Sequence, residues 1–378
     1  MLHPKTYNIN SEKKIVLILP NFKGGGAEKV MITLANIWAS KSIRVYFLVG
    51  EAKGEFLHLL SNQVEVYDLK ASKFSNAIPE MIRKLKKINP DVVLSTLIYC
   101  NVVSTIAVKL SRINTKLILR EATTPSKGIE NKPLILRILA KNLYKLADKF
   151  IAVSNGVKTD MISFYNLDSD RVEVINNPII TPDIFSLAKE EITHDFFNSG
   201  EVVITTLGKV SIAKDYLTLV EAFALVRKMK LKAKLLIIGR TNSAPQLFDE
   251  IKNKIRLYNM ESDIDFCGFQ SNPFPYLKKS DLFVLSSAYE GSPGALVQAM
   301  ALNCKLVSTD CPSGPKEILN GGKYGKLVPV KDPLALSKAI LETIKTPNIN
   351  VDNQNNIALY KAEYSAIKYL EAFNNIVE

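Results

Sequence analysis

The sequence predicts an α/β chain made of two doubly wound, Rossmann-like domains with a cleft between them. Apolar runs of strand length alternate with helical patterns in both halves, as in parallel sheets covered on both faces. At 378 residues the chain exceeds one ordinary core and fits two domains. Glycines and charged residues gather just beyond predicted strands, where open parallel sheets bind ligands.

The elements follow in order. Residues 15–20 form an apolar strand, which leads through Gly24-Gly25-Gly26 into a helix over 27–39. Further strands are expected at 43–49, 91–95, 116–120 and 150–154. Prolines Pro178 and Pro182 mark a join across 177–199. Beyond it, strands are expected at 202–207, 234–239, 263–268, 282–286 and 305–308, with helices over 214–229, 245–258 and 295–302. This places an acceptor-side domain at 1–180 and a nucleotide-binding domain at 181–355. A final helical segment, 356–378, can pack on either domain or cross back to the first. No short repeat or low-complexity tract interrupts the pattern.

Composition excludes several classes. With 47% hydrophobic and 23% charged residues the chain is globular rather than disordered. Cys100, Cys267, Cys304 and Cys311 form no C-x-x-C pair, and the three histidines are scattered, so a zinc-type site is not expected. Reduced thiols suit a cytosolic protein. Residues 1–14 are polar, so no signal peptide is read there. The longest uncharged run, 92–108, contains Ser95, Thr96, Asn101, Ser104 and Thr105 and is shorter than the ~20 residues of a membrane span. The net charge is +12, and the first 180 residues carry 26 basic against 15 acidic side chains. An anionic partner is expected for that half.

Two segments carry the central chemistry. Gly208-Lys209 is followed, after four residues, by Lys214. Glu290-Gly291-Ser292-Pro293-Gly294 leads through Ala295 and Leu296 to Gln298. Each runs from a predicted strand into a predicted helix. Lysines at diphosphate oxygens stabilise the charge that grows as a sugar bond breaks. Pro293 and Gly294 let backbone approach a ligand, and N–H groups around Ala295 and Leu296 favour phosphate. Glu290 can accept hydrogen bonds from sugar hydroxyls, and Gln298 can reach a ribose diol. Together they suit a nucleotide-sugar. For each lysine alone, a solvated loop is the alternative; for Gln298, a packed surface.

Other strand ends are less specific. Gly24-Gly25-Gly26 with Glu28 lacks the third glycine of G-x-G-x-x-G, whose place is taken by Lys29, so a plain turn competes with a ligand loop. Arg120 and Glu121 close a strand and could line an acceptor site or form a surface ion pair. Arg240 ends another strand. Arg137, Lys141, Lys145 and Lys149 recur every four residues, and Arg83, Lys84, Lys86 and Lys87 cluster. These are either solvated faces or a dock for anionic lipid. No nucleic-acid module is recognisable, and the basic runs lack interleaved aromatics.

The stretch from Gly268-Phe269 to Ser287, the Glu290 segment, Thr309 to Ile318 and Gly25-Gly26-Ala27-Glu28 together resemble the GT4 family of retaining glycosyltransferases, which have the GT-B fold. The resemblance implies a UDP-sugar donor and transfer with retained anomeric configuration. Lys209 stands where the family usually has arginine, and Lys214 matches its lysine; both would hold the diphosphate. Glu290 matches the first glutamate of the family's E-x7-E motif, and Gln298 departs from the second. A neutral amide binds a diol less strongly than a carboxylate, so weaker donor binding is expected. The donor set implied is Gly25, Gly26, Lys209, Lys214, Arg240, Phe269, Glu290, Ser292, Pro293, Gly294, Ala295, Leu296 and Gln298.

Many relatives have an acceptor-side histidine, and none of His3, His58 or His194 stands at such a position. The leaving phosphate can serve as base. Glu121 is the acceptor-side candidate, beside Arg120. The catalytic set is then Glu290, Lys214, Lys209 and Glu121, with no cofactor and no metal expected. The expected enzyme moves a hexose or N-acetylhexosamine to a lipid-linked oligosaccharide or surface polysaccharide. It would work in the cytoplasm, peripherally at the inner face of the membrane, using the basic first domain. An epimerase of the same fold and a catalytically weakened UDP-sugar-binding protein are the alternatives.

Overall fold

Among the described residues thirteen strands follow in order: β1 (Lys14–Leu19), β2 (Arg44–Val49), β3 (Glu65–Asp68), β4 (Val92–Thr96), β5 (Lys116–Glu121), β6 (Lys149–Ala152), β7 (Val172–Val174), β8 (Val202–Leu207), β9 (Ala233–Ile238), β10 (Ile264–Gly268), β11 (Leu282–Leu285), β12 (Leu306–Thr309) and β13 (Lys326–Val328). They belong to a computed structural model that describes residues 13–23, 25–130, 132–347 and 353–377. Gly24 lies outside the described residues.

Successive side chains leave a strand on opposite faces. In β1, Val16 and Ile18 enter one apolar cluster, while Ile15, Leu17 and Leu19 enter another. The same division holds in β5, where Leu117 and Leu119 oppose Ile118. Both faces are therefore core, which explains the unbroken apolar runs. The sheet is parallel, in the order β3-β2-β1-β4-β5-β6-β7. A second parallel sheet has the order β10-β9-β8-β11-β12-β13. There, Ile204, Leu235 and Val284 face one cluster, and Val203, Leu236 and Ile238 the other.

Two compact units hold these sheets. One comprises the residues to Ile179 together with those from Leu359; the other is Ile180–Ala358. The helix Ala362–Val377 belongs to the first unit. Trp38 explains why. Its indole Nε1 donates to the Ala366 carbonyl at 3.1 Å, and its ring meets Tyr369 and Phe373 edge-on. Such contacts combine apolar burial with a partner for the one polar atom of the indole.

Three strands escape the sequence pattern. β3, β7 and β13 are edge strands, with the short sequences EVYD, VEV and KLV. An edge position does not need a continuous apolar run. The four-residue basic stripe is also corrected. The helix Leu134–Leu143 ends before a 3-10 turn at Tyr144–Leu146, and Lys149 opens β6. Lys149 is 9% exposed and pairs with Glu173 at 2.6 Å, so it contributes nothing to a helical face. No helix among the described residues is long and apolar enough to cross a membrane.

Candidate active site

In the second sheet the order runs outward from β8 to β9 and β10 on one side, and from β11 to β12 and β13 on the other. The chain reverses its winding between β8 and β11, and a crevice opens beyond such a switch point. Lys209 and Lys214 follow β8, and Glu290 follows β11. The fold thus brings the two sequence segments to the same place.

Local backbone geometry fixes the first segment. A side chain on Gly208 would lie 2.9 Å from Lys214 Cε, so glycine leaves the lysine its path. Gly239, at φ +149, approaches so closely that a Cβ there would stand 2.1 Å from the Gly208 carbonyl oxygen. That carbonyl accepts from the Tyr216 hydroxyl at 2.7 Å. Asp215, in the left-handed region at φ 46, caps the helix Tyr216–Lys228 by accepting from Thr218. Lys209 is exposed, whereas Lys214 is half-buried.

The second segment is stitched to the first. Lys214 Nζ donates to Glu290 Oε1 at 2.6 Å, and the Ser287 hydroxyl donates to the same oxygen at 2.7 Å. Ser286 Oγ donates to the Lys214 carbonyl, and the Ala288 N–H to the Ala213 carbonyl, both at 2.8 Å. Thr309, at the end of β12, donates its hydroxyl to the Ser287 carbonyl at 2.6 Å. Gly314, at φ +96, lies under the loop; a Cβ there would meet Pro293 Cδ at 2.5 Å.

The helix Gly294–Ala301 begins at Pro293 with no side-chain cap. Its start can therefore receive an anion. Leu296 needs correction as an anion donor, because its N–H already bonds the Pro293 carbonyl at 3.1 Å and its side chain is buried. Gly294 and Ala295 stand at the first turn, Ser292 just before it, and Gln298 is half-buried one turn on. Arg240, after β9, lays its guanidinium 4.6 Å from the Phe269 ring, and Phe269 follows β10 with 43% of its surface exposed. An exposed aromatic ring held by a cation offers a flat stacking surface.

The remaining predicted residues are in the first unit. Gly25 starts the helix Gly26–Ser40 after β1, next to that sheet's own switch point between β1 and β4. A Cβ on Gly25 would collide with the Glu28 carboxylate at 2.3 Å, whereas Gly26 has open space.

Arg120 and Glu121 do not line a surface. Each is 1% exposed. Being consecutive in β5, they point to opposite faces and are not partners in an ion pair. Arg120 donates to Tyr369 Oη at 3.1 Å, Thr96 Oγ1 at 2.8 Å and Asn177 Oδ1 at 2.6 Å. Glu121 accepts from the Tyr144 hydroxyl on the other face, and Asn101 donates to that hydroxyl at 2.9 Å. Burial raises the Glu121 carboxyl to about 7, against the lowering by Tyr144 and Arg120. Both are interior residues of the first unit, so the acceptor-side assignment is corrected for each.

His194 stands alone in the sequence, but the fold brings it to Asp265 at 3.0 Å, with Cys267 nearby. His194 Nδ1 accepts the Phe196 N–H, which places the ring proton on Nε2, facing Asp265. A metal would have to displace that proton. Two D-x-D spacings are present, Asp168-Ser169-Asp170 and Asp263-Ile264-Asp265. The first precedes β7 in the first unit; the second opens β10, whereas Lys214 and Glu290 follow the C-terminal ends of β8 and β11. Asp263 is held by Lys234 and Arg227.

Two parallel, doubly wound sheets, the second with its switch point between β8 and β11, are the architecture of the GT-B glycosyltransferases. Residues 24–181 match the family described as Glycosyltransferase Family 4, and residues 201–346 the family described as Glycosyl transferases group 1. The chain belongs to the GT4 glycosyltransferases. It is 27% identical over 332 residues to the N-acetylgalactosamine-N,N'-diacetylbacillosaminyl-diphospho-undecaprenol 4-alpha-N-acetylgalactosaminyltransferase of Campylobacter jejuni, covering 84% of this chain and 86% of that one. The glycosyltransferase of Rickettsia africae superposes with a TM-score of 0.78 at 20% identity, over 98% of this chain and 100% of that one. Anabaena Alr3699/HepE, solved in complex with UDP-glucose, superposes with a TM-score of 0.74 at 20% identity, over 96% and 98%.

Proposed function

We propose that this enzyme moves a hexose or N-acetylhexosamine from a UDP-sugar to a lipid-linked oligosaccharide or growing surface polysaccharide, with retained configuration and without a metal. The observation that carries the reading is the Lys214–Glu290 contact at the switch point, beside an uncapped helix start. The activity named for the Campylobacter relative, on a diphospho-undecaprenol-linked acceptor, supports the acceptor class. The UDP-glucose complex of the Anabaena neighbour supports the donor class.

The resting ion pair has a direct use. An arriving diphosphate draws Lys214 away from Glu290, because two phosphate charges outcompete one carboxylate. Glu290 is then released to accept hydrogen bonds from the transferred sugar. As the anomeric bond breaks, charge grows on the leaving diphosphate, where Lys209, Lys214 and the first N–H groups of the 294–301 helix stabilise it. The acceptor hydroxyl gives its proton to that phosphate. Arg240 and Phe269 offer the base a stacking surface, and Gln298 bonds the ribose. The reaction takes place at a membrane surface, where the lipid-linked acceptor is held.

A donor panel read by product mass tests this: UDP-, GDP- and ADP-sugars with a polyprenyl-linked oligosaccharide fraction. A single-sugar mass gain with a UDP-sugar, lost in Lys214→Ala, is expected. Full turnover in Lys214→Ala with every donor would remove the phosphate assignment. Epimerised sugar nucleotide formed without acceptor, or saturable UDP binding with no transfer to any acceptor, would replace the transferase reading.

A further inference from the structure

The helix Leu134–Leu143 is apolar on two sides. Leu136, Leu139 and Leu143 pack inward, with the buried Ala140, against the first core. On the outward side Leu134 is 68% exposed, Ile135 63% and Ile138 49%, and Leu146 just beyond the helix is 46% exposed. At about 100° per residue, Leu134, Ile138 and Lys141 share one narrow sector opposite the core, with Ile135 and Arg137 on its flanks. Single exposed leucines are ordinary; three large aliphatic side chains on two turns are a patch.

The charge around the patch is one-sided. Between Lys132 and Ala147 stand Lys132, Arg137, Lys141 and Lys145, with no Asp or Glu. All four cations are exposed. Lys141 also lies 4.7 Å from the Phe164 ring, so its charge is held at the helix face. Aliphatic side chains ringed by cations, without acids, match the boundary between acyl chains and anionic headgroups. An anionic lipid surface meets both parts of that pairing at once, its phosphates the cations and its acyl chains the aliphatic groups.

We propose that the outward face of the 134–143 helix is a lipid-docking element: Leu134, Ile135 and Ile138 enter the acyl boundary of an anionic bilayer while Lys132, Arg137, Lys141 and Lys145 meet its phosphates. The proposal deepens, and rests on, the reading of a membrane-held acceptor. It differs from purely electrostatic attachment, because the apolar part survives salt.

Co-sedimentation of the full chain with phosphatidylcholine vesicles, with and without phosphatidylglycerol, tests it at low and high salt. The wild type is expected to bind the phosphatidylglycerol vesicles and to keep part of that binding at high salt. The triple substitution Leu134→Gln, Ile135→Gln, Ile138→Gln is expected to lower affinity by about tenfold or more and to abolish the salt-resistant part. The pair Arg137→Gln, Lys145→Gln is expected to reduce only the salt-sensitive part. Thermal melting confirms that each variant is folded. Wild-type binding by the triple variant would overturn the proposal, as would a lipid-free dimer of the wild type that the triple variant loses. Transfer to a detergent-solubilised acceptor is followed in parallel. If transfer persists while the wild type ignores anionic vesicles, the docking element is wrong and the enzyme reading stands; if vesicle binding behaves as expected but no acceptor is ever extended, the enzyme reading is the one that fails.

Discussion

Lys214 and Glu290, 76 positions apart in sequence, share a 2.6 Å hydrogen-bonded ion pair, with side chains only 19% and 14% exposed. A part-buried pair of this kind is worth less than the penalty for breaking it on one side. Lys214→Ala leaves the Glu290 carboxylate facing only Ser287 of the two donors described. The single variant is expected to lose about 1–2 kcal/mol of stability, and Lys214→Ala with Glu290→Gln to recover part of it. Denaturant titration of the two variants decides this. In turnover, Lys214→Ala is expected to cost about 10²–10³, and the double variant should recover none of it.

Gln298 stands one turn into the 294–301 helix, where the family motif has a carboxylate. A hydrogen bond to a charged group exceeds a neutral one by about 1 kcal/mol, or roughly fivefold in affinity. Gln298→Glu is therefore expected to tighten UDP binding about fivefold by calorimetry. An unchanged or weaker affinity would mean that residue 298 does not touch the ribose.

Glu121 makes stability depend on pH in an unusual direction. Its carboxyl, raised to about 7 by burial, titrates near 4.5 when exposed in the unfolded chain. The unfolded state therefore gives up the proton first. The group's contribution is complete below about 4.5 and is lost as pH rises toward 7. Glu121→Gln keeps an acceptor for Tyr144 and removes the titration. It is expected to stabilise the protein at neutral pH, by up to about 3 kcal/mol, and to flatten the profile between those values. Thermal melts across that range provide the comparison.

Arg120 is a buried cation with three neutral acceptors, and its contact with Tyr369 ties β5 to the helix 362–377. Arg120→Met removes the charge and orphans those acceptors. A loss of about 3 kcal/mol is expected, with faster hydrogen exchange concentrated in 362–377. Uniform exchange across the first unit would show that the arginine does not anchor that helix in particular.

The parts that the sequence revealed are those governed by neighbours in sequence. β8 and β11 read as strands because both their faces are buried. Lys209, Lys214, Glu290 and Gln298 stood out because strand, loop and helix start follow one another within a few residues. Lys149 misled because a spacing of four is helical only while the helix lasts, and the buried Tyr144 lies in the 3-10 turn that ends it. Arg120 and Glu121 misled for a different reason. Charged residues at a strand end ordinarily meet solvent, and nothing within ten residues of Arg120 announces Tyr369, 249 positions away. The same holds for His194 and Asp265, which pair across 71 positions.

Trp38 and Ala366 meet across 328 positions, and this has a consequence for how the protein is made. The second unit is one uninterrupted stretch, Ile180–Ala358, and can finish folding as it emerges from the ribosome. The first unit starts earlier and finishes later, because the surface around Trp38 stays bare until residues 362–377 arrive. During the whole synthesis of the second unit, that indole patch is the nascent chain's point of vulnerability. A premature stop after Ala358 would spare the second unit and damage the one that was translated first.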